Sequence, residues 1–278
     1  MLKMEINTKL GQSGSKVRII SVGSKNKEFL VQKTSNESRF IHQFKKHLEA
    51  QQNSKMYPIK VPEIKENFFK NSYSMQYVLS ENLGEHMLKH ETNFAQEIII
   101  SYLNNSITDN DISDSSKNKI INYFENKLKL NYKLGHIKNF NIERLLWRFS
   151  RSIKLNRVTE GWNHGDFSFE NILVPRDGKS IYVIDFLDSP VNTPLIDLGR
   201  IYLDLSLGWW NSNKKINELN SQILGFKLKI ENLAVTRDID LEVVRLFALF
   251  ACVRIMPYTK NPTRIGFLKS YFHEMMRE

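Results

Sequence analysis

Cys252 is the only cysteine in the 278-residue chain. That excludes a disulfide framework and any zinc site built on thiolates. The longest apolar run, residues 246–253 (LFALFACV), falls well short of the roughly 20 residues that a membrane-spanning helix needs. The opening stretch MLKMEINTKLGQSG lacks the apolar core of a signal peptide. The expectation is a protein of a reducing compartment, the cytoplasm, without membrane insertion. Internal repeats, proline-rich linkers and low-complexity tracts are also missing. Basic residues outnumber acidic ones, 40 to 30, for a net charge of +10. Yet the lysines are scattered, with no run of five or six and no arginine-rich arm. Such a pattern reads as a solvated surface, so no nucleic-acid partner is expected.

What is present is enough to fold. Hydrophobic residues make up 41% of the chain and aromatic residues 11%, which supports a buried core and argues against disorder. The length suits one large domain or two lobes sharing a core. Residues 17–22 (VRIISV) and 28–33 (EFLVQK) read as strands joined by the turn residues 23–26 (GSKN). Residues 37–50 read as a helix, with Phe40, Ile41, Phe44 and Leu48 on one face. Residues 67–79 read as two more strands around a turn at 70–72. Beyond Ser80 the periodicity becomes helical, as in Ile120, Phe124 and Leu128, or Leu145, Phe149 and Ile153. A hairpin interrupts it: residues 171–174, a turn at 175–178, then residues 181–186. The expected class is α+β, with a small antiparallel-sheet lobe over residues 1–79 and a larger, mainly helical lobe over residues 80–278.

The chemistry concentrates in residues 164–171, HGDFSFEN, and in Asp185 on the returning strand of the hairpin. The hairpin brings Asp185 back beside Asn171. Two carboxylates and an amide then converge, all oxygen donors. Such donors suit Mg²⁺, which keeps several waters and arrives with nucleotide phosphates. Asp166 can orient a hydroxyl and accept its proton. This is the equipment of phosphoryl transfer, in which positioning and charge neutralisation carry most of the catalysis.

His-x-Asp-x-x-x-x-Asn followed by Ile184-Asp185-Phe186 resembles the aminoglycoside phosphotransferase and choline kinase superfamily, which has the protein-kinase-like fold. The resemblance covers roughly residues 10–205. It implies ATP and Mg²⁺ as cofactors and a small-molecule alcohol as acceptor. Asp166 would be catalytic, and Asn171 and Asp185 metal ligands. A phosphate-covering loop would fall on Gly11, Ser13, Gly14 and Ser15, whose small side chains let backbone N–H groups approach phosphate. Lys33 would neutralise the α- and β-phosphates. A helix glutamate would hold that lysine: Glu37 points with the apolar stripe at about 100° per residue, and Glu49 points elsewhere. Backbone groups of Gln76 and Val78 would read the adenine edge at the hinge. His164 would pack the loop, and Asp197 would either accept backbone hydrogen bonds from that loop or cap a helix.

Departures from protein kinases are equally informative. Ser168 stands where they carry lysine, Phe186-Leu187 replaces Phe-Gly, and Asp197 follows Asp185 by only twelve residues. That leaves no room for a peptide-docking segment. A protein kinase-like enzyme and a catalytically silent nucleotide-binding scaffold are the rival readings. Tyr202, Trp209, Trp210 and Tyr258 could box a quaternary amine or stack on a sugar, or be ordinary core and surface aromatics. The basic balance of Arg254, Lys260, Arg264, Lys269 and Arg277 against Glu274 and Glu278 disfavours a polycationic acceptor. His86 and His90 lack the intervening glutamate of a zinc hydrolase motif and read as surface histidines. Residues 109–120 open like a calcium loop but lack its glycine and final glutamate, and read instead as a helix cap.

Overall fold

The computed structural model describes residues 4–10, 16–22, 28–35, 37–69, 71–138, 140–208 and 220–277; the side chains of 4–10, 16, 21–22, 28, 37–39, 66–69 and 220 are not described. Strands β1 (Met4–Leu10), β2 (Lys16–Val22) and β3 (Glu28–Thr34) lead into helix α1 (Glu37–Asn53). Strands β4 (Ile64–Phe69) and β5 (Ser72–Gln76) follow, and the five strands form one sheet in the order β1-β2-β3-β5-β4. Every neighbouring pair is antiparallel. Asn71 turns the chain between β4 and β5 at φ 65°, a left-handed conformation that asparagine tolerates. β5 ends at Gln76, earlier than residue 79, although the Tyr77 N–H still donates to Phe29 C=O at 3.2 Å.

The face that α1 buries differs from its apolar stripe. Ile41 and Leu48 are exposed, and Gln43, His47 and Ala50 are buried. Phe40 and Phe44 lie against Tyr73 of β5, and His47 stands edge-on to Phe186 at 5.6 Å. The helix therefore buries polar side chains, Gln43 and His47, as well as apolar ones.

The remainder is helical around a second small sheet. Strand β6 (Ser80–Asn82) precedes helices α2 (Leu83–Met87), α3 (Asn93–Ser106), α4 (Asp114–Lys133) and α5 (Ile142–Leu155). Then come β7 (Ile172–Pro175), β8 (Tyr182–Val183), α6 (Leu195–Leu207), α7 (Asn220–Thr236), α8 (Leu241–Ile255) and α9 (Pro262–Arg277). The sheet order is β6-β7-β8. β8 is shorter than the expected strand over 181–186, and Asp185 beyond it adopts φ 64°. Residues 109–113 do lead into a helix cap: Ser113 accepts from the Ser116 N–H at the start of α4. Cys252 is buried in α8.

The core joins α3 to α9 and includes Phe124, Phe149 and Phe250, whose rings stack. α6 and α8 cross at Gly199, where a Cβ would stand 2.4 Å from the Phe247 carbonyl carbon. Ile59 and Val61 belong to this core, whereas Ile20, Leu30, Tyr73 and Met75 are buried outside it. The five-stranded sheet thus has an apolar layer of its own. No helix among the described residues is long and apolar enough to cross a membrane.

Candidate active site

Residues 164–171 form a loop that feeds β7, and helix α6 holds it from beneath. Asp197 is fully buried and accepts three hydrogen bonds: from His164 N–H at 2.6 Å, Gly165 N–H at 2.9 Å and Tyr102 Oη–H at 2.7 Å. Of its two expected roles, the structure displays the loop contacts. Two turns further on, Asp204 accepts from the Phe169 N–H at 2.8 Å. Arg200 lies between them, pairing with Asp204 and donating from Nε to Asp166 Oδ1 at 3.0 Å. Both ends of the loop and its central carboxylate are therefore bonded to side chains of one helix. Gly165 has φ 86°, and a Cβ there would fall 2.1 Å from the Leu187 carbonyl oxygen, so only glycine fits.

Asp166 takes a second hydrogen bond at Oδ2, from Asn171 Nδ2 at 3.1 Å; the same amide nitrogen donates to Asp166 C=O at 2.9 Å. Burial alone would raise the Asp166 pKa, but Arg200 and Arg254 outweigh it and hold the carboxyl below its ordinary value. Arg254 of α8 also donates to the Gly165 carbonyl. His164 is buried, and its Nδ1 accepts from the Asp166 N–H at 3.3 Å. Burial lowers its pKa to about 4, against the raising influence of Asp166 and the Ile184 carbonyl. It is therefore a neutral packing group at neutral pH.

The hairpin returns as the sequence implies. Ile184 N–H donates to Asn171 C=O at 3.1 Å, which sets Asp185 next to Asn171. Asn171 turns Nδ2 inward, so its Oδ1 is the atom available as a ligand. Asp185 is 46% exposed and held in a left-handed conformation, the kind of backbone strain that collects at functional sites. Its carboxylate pairs with Lys33 of β3, which is only 4% exposed. Lys33 and Asp185 thus meet across the two sheets, and Lys33 finds its anion there. Glu37 begins α1, but its side chain lies outside the described residues, as do Gly11, Ser13, Gly14 and Ser15. Gln76 N–H donates to Glu63 C=O at 2.8 Å, and Val78 C=O accepts from Ser80 Oγ at 3.1 Å. Those two backbone groups are already engaged.

Several contacts of the site are not encoded by its motifs. Phe186 lies between His47 of α1 and His164 of the loop, at 5.6 and 4.4 Å between ring centroids. Glu170, inside the loop, pairs with Arg264 of α9. The signal for Arg200 and Asp204 is in the sequence: LIDLGRIYLDLSL carries Asp, Arg and Asp at helical spacing on an otherwise apolar helix. Charges on such a helix must pair inside the protein. Of the four aromatics that could wall an acceptor or be ordinary core and surface residues, Tyr202 is buried and its hydroxyl donates to Glu231 at 3.0 Å. Tyr258 is exposed with Lys127 over its ring at 5.0 Å. Trp209 and Trp210 lie outside the described residues.

A family model described as the phosphotransferase enzyme family (APH) matches residues 123–217, the stretch that holds the loop, Asp185 and α6. No curated protein matches the chain. Among solved structures, it is similar to the choline kinase LicA from Streptococcus pneumoniae, with a TM-score of 0.61, 12% identity, and coverage of 99% of this chain and 94% of that one. An ethanolamine kinase from Plasmodium vivax superposes with a TM-score of 0.59 at 14% identity, over 97% of this chain and 81% of that one. An ADP-bound aminoglycoside phosphotransferase, APH(2'')-Ib, gives 0.50 at 17% identity, over 94% of each chain. At these identities the solved structures establish a shared fold. Residues 123–217 carry the pattern of the phosphotransferase enzyme family, on the two-part fold that choline kinase and the aminoglycoside phosphotransferases share with this chain.

Proposed function

We propose that the protein is an ATP- and Mg²⁺-dependent phosphotransferase that phosphorylates a hydroxyl group of a small molecule. The observation that carries this reading is the chain of contacts that links Lys33 of the first sheet to Asp185, Asn171 and Asp166. The sheet over residues 1–79 would take the nucleotide and the helices over 80–278 the acceptor. Asn171 Oδ1 and the Asp185 carboxylate are hard oxygen donors at adjacent backbone positions, which fits Mg²⁺. When bound, Mg²⁺ neutralises phosphate charge and helps align the transferred group.

The chain's own residues supply the rest. Lys33 is a buried cation whose partner is an exposed carboxylate; nucleotide phosphates would offer it a denser anion. Asp166 has both oxygens fixed by donors, from Arg200 and Asn171, and each oxygen keeps a further lone pair. A substrate hydroxyl donating to Asp166 would be aimed by a carboxylate that cannot swing. Because its pKa is held low, Asp166 acts first by orientation and receives the proton late, as the oxygen–phosphorus bond forms. Arg254 and Arg264 are engaged with the loop at Gly165 and Glu170. Arg264 neutralises Glu170 and Arg254 adds positive charge beside the loop, which favours a neutral or anionic alcohol over a polycation.

Asp166→Asn is nearly isosteric and removes the proton acceptor, with its amide nitrogen taking the place of one of the two oxygens that accept from Arg200 and Asn171. It is expected to lower transfer by at least about a hundredfold while ATP affinity stays within a few-fold of wild type, by rapid-quench turnover and equilibrium titration. Undiminished turnover would refute the role given to Asp166.

A further inference from the structure

Glu81, His86 and His90 are set apart by sequence and brought together by β6 and α2. His86 Nδ1 and His90 Nε2 each stand 3.9 Å from Glu81 Oε2, and the two rings are 4.6 Å apart. One donor atom from each residue falls within 4.8 Å of the others. Glu81 Oε1 accepts from Lys89 Nζ at 2.6 Å. Glu81 Oε2 is different: it is buried and receives no hydrogen bond among the described residues. A buried carboxylate oxygen without a donor is costly, and 3.9 Å is too long for either imidazole to supply one. The oxygen and the two ring nitrogens surround a common point.

We propose that Glu81 Oε2, His86 Nδ1 and His90 Nε2 form a site for a divalent transition cation of the zinc class. Two imidazoles and a carboxylate are a recurrent zinc donor set, with bonds of about 2.0–2.2 Å and a fourth position for water. Tetrahedral bonds of that length put donors about 3.4 Å apart, so each imidazole nitrogen must draw in toward Oε2 by about half an ångström, and the two nitrogens toward each other by at most about 1.4 Å. The exposed His90 side chain can supply that movement. Mg²⁺, which prefers oxygen donors and retains its waters, does not match this set. The site also has a structural reach. Glu81 pairs with Val174 of β7, and Leu83 N–H donates to Phe169 C=O at 3.1 Å. A bound cation would pin the turn after α2 to the strand beside the 164–171 loop.

The test is a titration of metal-stripped full-length protein with Co²⁺ as a visible probe, followed by displacement with Zn²⁺. One equivalent of Co²⁺ should bind with the strong visible absorption of a four-coordinate nitrogen-and-oxygen site, and Zn²⁺ should displace it. His90→Gln, a change at an exposed side chain, should weaken binding by at least about tenfold, as should His86→Gln. Asp185→Ala should leave this binding unchanged, which separates it from the oxygen-donor site. Absence of Co²⁺ and Zn²⁺ binding would overturn the proposal. So would binding that survives both histidine substitutions, or binding that Asp185→Ala abolishes.

Discussion

His164 and Asp197 are joined by a hydrogen bond from the His164 backbone N–H, and folding moves their titrations in opposite senses. Folding raises Asp197 from 3.8 to about 6, mainly by burial. Its contribution to stability is full below pH 3.8 and lost as pH rises to about 6. Folding lowers His164 from 6.5 to about 4, again by burial. That contribution is present above pH 6.5 and lost as pH falls to about 4. Between about pH 4 and 6 the native state holds a proton on Asp197 and the unfolded chain holds one on His164, so the two slopes cancel. His164→Gln should expose the Asp197 slope: relative to wild type, stability should fall by up to about 1.4 kcal/mol per pH unit as pH rises from 4.5 to 5.5. Asp197→Asn should give the opposite slope. Urea unfolding at the two pH values checks this, and parallel profiles for all three proteins would contradict it. The sequence reveals His164, Asp166 and Asn171 because their spacing within one loop is itself the signal. The resemblance also picks out Asp197 but leaves loop bracing and helix capping open, because its partners are mainly backbone groups that no side-chain pattern encodes.

Helix α6 is the element on which the loop depends. Its Asp197, Arg200 and Asp204 face the loop, and its Gly199 lies against α8. Arg200→Met would leave Asp166 and Asp204 without a guanidinium that both contact. Removing one member of such a buried network typically costs about 3–5 kcal/mol. The Asp166 pKa should rise at the same time, moving the acid limb of the transfer profile to higher pH. Chemical denaturation and a pH–rate profile measure the two effects; an unshifted limb would show that Arg200 does not set the charge of Asp166. A glycine pair tests the helix crossing. Gly199→Ala meets main chain at 2.4 Å and should destabilise by about 1–3 kcal/mol. Gly225→Ala, in α7 with nothing within 4 Å, should stabilise by about 0.5–1 kcal/mol through helix propensity. Strand pairs β2–β3 and β4–β5 are legible as alternation around turn residues. The buried face of α1 is not: Gln43 and His47 are buried, and the His47 ring lies against Tyr73 and Phe186 with its Nε2 2.7 Å from Pro62 C=O. An apolar stripe cannot report a polar environment created by distant segments.

At the scale of the whole molecule, the contact between its two parts runs through the site. Lys33 comes from one sheet and Asp185 follows the hairpin of the other, and Phe186 packs between α1 and the loop. The α+β class and the sheet-then-helices order are legible, because periodicity changes near Ser80. The pairing of Lys33 with Asp185 is not, since it joins residues 152 positions apart. The central claim is that these parts bind a nucleotide through a metal held at Asn171 and Asp185. The most direct measurement is thermal unfolding with ATP, with and without Mg²⁺, in wild type and in Asp185→Ala. A ligand at 100 times its dissociation constant stabilises by about 2.7 kcal/mol. ATP with Mg²⁺ should stabilise wild type, omitting Mg²⁺ should remove most of the effect, and Asp185→Ala should show little in either condition. No stabilisation of wild type, or one indifferent to both Mg²⁺ and Asp185, would contradict it.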